Sequence, residues 1–328
     1  MKPWVIVAGL AGLALATAIV GYFGFGAVFD ALSAIGWRGL AFLCVYSAAP
    51  ICLLGAAWFL LDETSGPRRL GAFIWARMLR DAGGELLPFL PVGGFVIGAR
   101  AAILQGVSAS VAFSTSIVDV TTELLAQLGF TGLGLGLLAI TIGQQSTHRA
   151  LIGAVLAGLA LSSLGAWVFI ELQRRGSDVV ERLARRLAPD AAIDFSRTLR
   201  GLYSHPWRIW AAVGVHFAAW VASAAGIWLA LRLSGVDIGF DRILAIESLV
   251  CAARSAAVFA PMGIGVQEAT YAVVGPLFCL GPELSIAVSL LKRARDLIIG
   301  APALIVWQAI EGRRLVHGVR AGTLTGFD

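Results

Sequence analysis

Charge is scarce in this chain: only 14% of its 328 residues are Asp, Glu, Lys or Arg, against 58% hydrophobic residues and a mean hydropathy of +0.84. Soluble domains carry about 25% charged residues, so the composition excludes one and points to an all-α polytopic membrane protein. Cysteine and histidine are equally sparse, at four residues each. Cys44, Cys52, Cys251 and Cys279 sit in apolar segments without metal-ligand spacing and read as inert packing residues. His148, His205, His216 and His317 are scattered and never form H-E-x-x-H, which leaves metal-assisted hydrolysis without a motif. His216, alone in an apolar span, reads as a satisfied packing histidine and not as a ligand. No Walker lysine, positioned nucleophile or cofactor motif is present, so no catalytic residue, cofactor or metal is expected. The net charge of +5 does not imply nucleic acid, because the basic residues cluster beside the apolar segments, as positive-inside orientation requires.

What is abundant is lipid-compatible sequence. A spanning helix needs about 20 apolar residues, and five windows qualify: Pro3 to Gly24, Gly39 to Leu61, Leu151 to Leu172, Trp207 to Leu231 and Leu284 to Ala309. The first has Lys2 before it and Ala16-Thr17-Ala18 within it, features of a signal peptide, but no soluble secreted domain follows and an uncleaved first helix is the better reading. Three basic segments set the expected orientation: Arg68, Arg69, Arg77 and Arg80; Arg174 through Arg208; and Arg313, Arg314 and Arg320. All are expected in the cytoplasm, with both termini. The long segment 173–206 reads either as an amphipathic interfacial helix or as a solvated charged linker. It separates approximate halves 1–172 and 207–328 of a single membrane domain. Gly129, Gly132, Gly134 and Gly136 are spaced for close helix contact.

The strings Phe89-Leu90-Pro91-Val92-Gly93 and Phe259-Ala260-Pro261-Met262-Gly263 share an F-x-P-x-G frame at a separation of 170 positions. Pro91, Gly93, Gly94, Pro261, Gly263 and Gly265 are the candidate hinges of interrupted or re-entrant helices, because Pro and Gly at membrane depth free backbone groups that need protein or water partners. Counting crossings from the basic segments brings the chain into the two frames from opposite sides, the arrangement of two inverted-topology repeats.

Ionisable residues interrupt these apolar stretches: six acids (Glu85, Asp119, Glu123, Glu247, Glu268, Asp296) and five bases (Arg100, Arg254, Lys292, Arg293, Arg295). Each would cost about 2.5–3.5 kcal/mol facing lipid, so they are expected to point inward, pair or line water. Asp119 and Glu123 share a helical face by their i, i+4 spacing, as do Lys292 and Asp296. A uniform offset of 170 maps Glu123 onto Arg293. The candidate substrate-binding residues are Arg100, Glu268, Glu85, Asp119, Glu123, Arg254 and Arg293, with Arg100 and Glu268 foremost because each follows a Pro-Gly frame.

The P-x-G-x-G-x-x-E string from Pro261 to Glu268, the stretch Leu284 to Gln308 with Leu291-Lys292-Arg293-Ala294-Arg295-Asp296, and the string Glu85 to Gly94 with Arg100 resemble the transmembrane region of lysylphosphatidylglycerol synthases. Within that family the chain is most similar to the hopanoid-biosynthesis-associated membrane proteins (HpnL). The first string departs from the family pattern, which often has Gly-Glu after the proline where Gly93-Gly94 stand here. The resemblance implies lipid handling: in bifunctional members this region moves a lipid between leaflets while a separate soluble domain transfers an aminoacyl group. No such domain follows Asp328, so the expectation is a flippase-like lipid translocase of a bacterial inner membrane that does no synthesis, acting on a hopanoid or other polar lipid. Its partners would be membrane lipids and lipid-biosynthesis proteins. The rivals are a membrane-embedded headgroup transferase and a non-transporting scaffold of a lipid-biosynthesis complex.

The orientation predicts that, in a cysteine-free background, cysteines introduced at Ser177 and Thr323 react with an impermeant thiol reagent only from the cytoplasmic side, and one at Gln144 only from outside. Labelling of Gln144 and Ser177 from one side would remove the inverted arrangement.

Overall fold

The structure is a computed structural model that describes residues 36–64, 66–87, 92–142, 197–199, 201–256 and 265–320, with single helical positions between 153 and 171. The window Pro3 to Gly24, most of 151–172 and of the basic segment 173–206, and the hinge residues Pro91, Pro261 and Gly263 lie outside the described residues. Nine α-helices and no strand occur among those described: α1 Trp37–Tyr46, α2 Ala48–Leu60, α3 Leu70–Leu86, α4 Val92–Leu104, α5 Ala109–Ile142, α6 Pro206–Leu233, α7 Phe240–Ala256, α8 Val266–Leu277 and α9 Pro282–Arg320.

Helices α1 and α2 make one apolar rod of 24 residues. Its seam at Ser47 follows from Pro50, which has no N–H to offer the Tyr46 carbonyl, while the Ser47 hydroxyl donates to Leu43 O at 2.6 Å. Three described segments are long and apolar enough to cross a membrane: Trp37–Leu60, Ala109–Ile140 and Pro206–Leu233. The second is not among the five sequence windows, because Asp119 and Glu123 break its apolar run. The window Leu284 to Ala309 lies within α9, but four charged residues at its centre exceed what an ordinary spanning helix carries.

Two trios of helices share one pattern of lengths. α3, α4 and α5 have 17, 13 and 34 residues; α7, α8 and α9 have 17, 12 and 39. The trios interlock, with α3 packed on α9 and α5 packed on α7, while α6 packs on α1, α2, α5 and α7. One apolar core joins α1 and α5 through α9 around Leu43, Leu138, Ile227, Ile246 and Leu291. A second surrounds Trp58, Phe73, Leu79 and Ala102.

Small residues set how closely these helices approach. A Cβ on Gly94 would lie 2.5 Å from the Arg80 carbonyl oxygen and 2.9 Å from Gly84 N, so α3 and α4 touch backbone to backbone. Gly134 meets Ser248 of α7, and a Cβ on Gly129 would lie 3.7 Å from the Phe217 ring of α6. Gly132 and Gly136 have open space beside them.

Because the obstacle at Gly94 is backbone, Gly94→Val should lower stability by about 1–3 kcal/mol, the usual cost of overpacking, whereas Gly136→Val should leave the thermal melt of the detergent-solubilised protein near that of the parent. Equal melting temperatures for the two variants would contradict the α3–α4 contact.

Candidate functional site

The charged residues of the apolar helices form three groups, all placed by α3, α5, α7, α8 and α9. The first joins α3, α5 and α6. Arg77 and Arg80, one turn apart on α3, face Asp119 and Glu123, one turn apart on α5. Arg77 donates to Asp119 Oδ2 at 3.1 Å and to Glu123 Oε1 at 2.6 Å; Arg80 donates to the same two carboxylates at 2.5 Å each. Arg77 Nε also donates to Asp81 at 2.9 Å. From α6, His216 Nε2 stands 3.0 Å from Asp119 Oδ1, both side chains fully buried. The Arg80 guanidinium lies over the Phe95 ring at 4.5 Å, an apolar contact that tolerates cationic charge.

This corrects the sequence reading of Arg77 and Arg80, which are buried against α5 and do not sit in an exposed basic segment. His216 is a buried histidine with a hydrogen-bond partner, as a satisfied packing histidine should be. The signal was available: two arginines at i, i+3 inside Phe73-Ile74-Trp75-Ala76-Arg77-Met78-Leu79-Arg80 match two acids at i, i+4.

The second group joins α7, α8 and α9. Lys292 Nζ donates to Glu247 Oε2 at 2.7 Å, and the Tyr271 hydroxyl donates to Glu247 Oε1. Glu247 follows Arg77 by 170 positions, and Lys292 follows Asp119 by 173, the same distances that separate the starts of α3 from α7 and of α5 from α9. Matching positions therefore hold ion pairs of reversed sign. The extra three residues also change one alignment: Glu123 corresponds to Asp296, not to Arg293.

The third group lies where the helices stop and restart. Glu85, in the last turn of α3, accepts a hydrogen bond from Arg254 Nη2 at 2.5 Å, in the last turn of α7, and Arg254 Nη1 donates to Gln267 Oε1 of α8 at 3.1 Å. This pair ties one trio to the other. Glu268 accepts from Arg293 of α9, at 3.1 Å for the Nη2 contact, and from the Gly265 N–H at 2.8 Å. Gly265, one of the candidate hinges, caps α8 at φ +81°, a backbone region that favours glycine. Gly93 and Gly94 lie in the first turn of α4. Arg295 donates to its neighbour Asp296 at 2.5 Å.

Exposure sets the innermost acids apart from the pairs near the helix ends. Asp119 is 0% and Glu247 6% exposed, whereas Glu85 and Arg254 are 31% and 27% exposed and Glu268 and Arg293 28% and 19%. Arg100 stands apart: on α4, 46% exposed, it pairs with Glu311 of α9 at 2.7 Å. Of the seven expected site residues, Glu85, Arg254, Glu268 and Arg293 gather at the helix breaks, Asp119 and Glu123 form the buried α3–α5 network, and Arg100 has its own partner. Gln267, which also donates to Ser289 at 3.0 Å, was not singled out in the sequence, because an amide in an apolar run carries no spacing signal. Among the described residues no group of three His, Cys, Asp or Glu is placed to hold a metal ion. What the third group can do is exchange partners: its carboxylates and guanidinium groups reach the surface of the bundle, where a polar headgroup could replace one member of a pair.

Breaking a buried pair leaves an uncompensated charge, so Lys292→Met should destabilise by about 3–5 kcal/mol, and Glu247→Gln added to it should restore most of that loss in a double-mutant cycle of thermal melts. Additive losses would show that Lys292 and Glu247 do not interact.

Neither curated proteins nor solved structures yield a match to this chain. The family model of the lysylphosphatidylglycerol synthase TM region matches residues 9–303, nearly the whole sequence. The chain thus belongs to the lysylphosphatidylglycerol synthase TM region family.

Proposed function

We propose that this protein moves a polar lipid between the leaflets of a bacterial inner membrane, with its headgroup passing along the charged residues at the two helix breaks. Family membership gives the coarser statement, a membrane lipid-related function. The observation that carries the finer one is the Glu85–Arg254 pair, half-buried between the ends of α3 and α7, the first helices of the two trios. A charged headgroup at that point can take the place of one partner, so charge neutrality inside the bundle is kept as the lipid passes. Gln267, Glu268 and Arg293 extend the same polar path, and the acyl or polycyclic tail stays in the surrounding lipid.

The matched helix lengths of the trios support reading them as inverted repeats, with the stops after Leu86 and Ala256 as the breaks of re-entrant helices. Opposite motions of the two trios would then open the path to one leaflet at a time, the Glu85–Arg254 pair parting and reforming. In this reading Asp119 and Glu123 hold α3 and α5 together. A hopanoid or another polar lipid is the substrate the family resemblance favours.

In proteoliposomes carrying fluorescently labelled phosphatidylglycerol or a labelled hopanoid, Glu85→Gln and Arg254→Gln should each slow leaflet exchange about tenfold, equivalent to about 1.4 kcal/mol on the barrier, while Arg100→Gln stays near the parent rate. Undiminished exchange in both pair variants would reject the path. A new headgroup structure in the mass spectrum of the recovered lipid would favour a transferase.

A further inference from the structure

The lipid path leaves a fully buried titratable group unused. His216 Nε2 lies against Asp119 Oδ1, and its Nδ1 is buried with no hydrogen-bond partner among the described residues. When Nε2–H donates to the carboxylate, Nδ1 is a bare lone pair, the remaining place on the ring for a proton.

The charges around this pair are unequal in number. Arg77 and Arg80 contribute +2, and Asp81, Asp119 and Glu123 contribute −3, so the linked group carries 2 − 3 = −1 with a neutral imidazole. An imidazolium at His216 brings it to zero. Inside an apolar bundle an uncompensated charge is costly, which makes one proton a balancing ligand. Asp81 alone of the five is substantially exposed, at 36%.

Other elements packed on α6 offer His216 no competing partner among the described contacts. α1 carries Arg38, Cys44 and Tyr46, α2 carries Cys52, and α7 carries Asp241, Arg242, Glu247, Cys251 and Arg254. Of these, Glu247 is held by Lys292 and Tyr271, and Arg254 by Glu85 and Gln267. From α5, Glu123 shares Arg77 and Arg80 with Asp119.

We propose that His216 and Asp119 form a proton-binding site, and that its proton is coupled to lipid movement. One proton is taken from water and returned to water in each cycle; no other reactant is needed. Binding turns a hydrogen bond from a neutral imidazole into an ion pair and tightens α6 onto α5, and release loosens it. Because α5 is also bound to α3, whose last turn carries Glu85, the proton bears on the helix that ends at the lipid path. The coupling rests on the translocation reading; the proton site does not.

The test has two arms on the full chain. In nanodiscs, replacing His148, His205 and His317 with Gln lets nitrogen-15 histidine NMR read His216 alone, and an H216Q difference spectrum of the parent gives the assignment by a second route. The signal should change between imidazolium and imidazole as pH is varied over the range in which the bundle stays folded, and Asp119→Asn should alter that response. A ring fixed in one state across that range would overturn the site. In proteoliposomes with labelled phosphatidylglycerol, a pH gradient should accelerate exchange severalfold in the parent, while H216Q, compared with its own rate without a gradient, should show no acceleration. A gradient response retained by H216Q would overturn the coupling. A parent that moves no labelled lipid at any pH, with His216 still titrating, would remove the translocation reading and leave the proton site standing.

Discussion

An ionised side chain inside an apolar helical bundle is tolerated only when an opposite charge or several hydrogen bonds meet it. In this protein that constraint decides which helices stand next to one another. Arg77 and Arg80 can be on α3 because Asp119 and Glu123 face them from α5, and Lys292 can be on α9 because Glu247 faces it from α7. Apolar packing alone discriminates poorly between neighbours in a membrane, since lipid tails are as apolar as Leu. Ion pairs between particular positions restore that discrimination, and small residues such as Gly94 and Gly134 allow the backbones to come close enough for the pairs to form.

The same constraint sorts the pairs by where they lie. Pairs closed off from the surface, around Asp119 and Glu247, fasten helices within a trio. The pairs at the helix breaks remain partly open, and one of them, Glu85 with Arg254, joins the trios to each other. The pairs Arg77–Asp119 and Glu247–Lys292 carry their charges in opposite order along the chain. Neutrality of each pair is what the bundle requires, and which helix supplies the cation is immaterial to it.

Much of the protein was legible in its sequence. Composition excluded a soluble domain and implied an all-helical membrane chain, and the P-x-G-x-G-x-x-E string identified the family that the match over residues 9–303 then showed. The helix start at Gly265, a residue singled out as a candidate hinge, has a local cause, because a helix that begins after Gly with Glu three residues later has a local cap. Arg77 and Arg80 were misplaced for a definite reason: they lie near Arg68 and Arg69 in sequence, and proximity to a basic loop looks the same whether an arginine faces water or a carboxylate 39 to 46 residues away. Helix α5 went unseen as a span because its acids count against it until their partners are known.

The sequence by itself determined the helical periodicity, the apolar environment and the presence of charges that must be paired, all of which follow from local composition and spacing. Only the tertiary structure decided the pairing: that Glu85 meets Arg254 169 residues away, that Arg100 meets Glu311 and not the other charges, and that His216 meets Asp119. A charge in a sequence specifies that it needs a partner, but a partner on another helix is chosen by how the helices cross, and crossing is a property of the packed bundle.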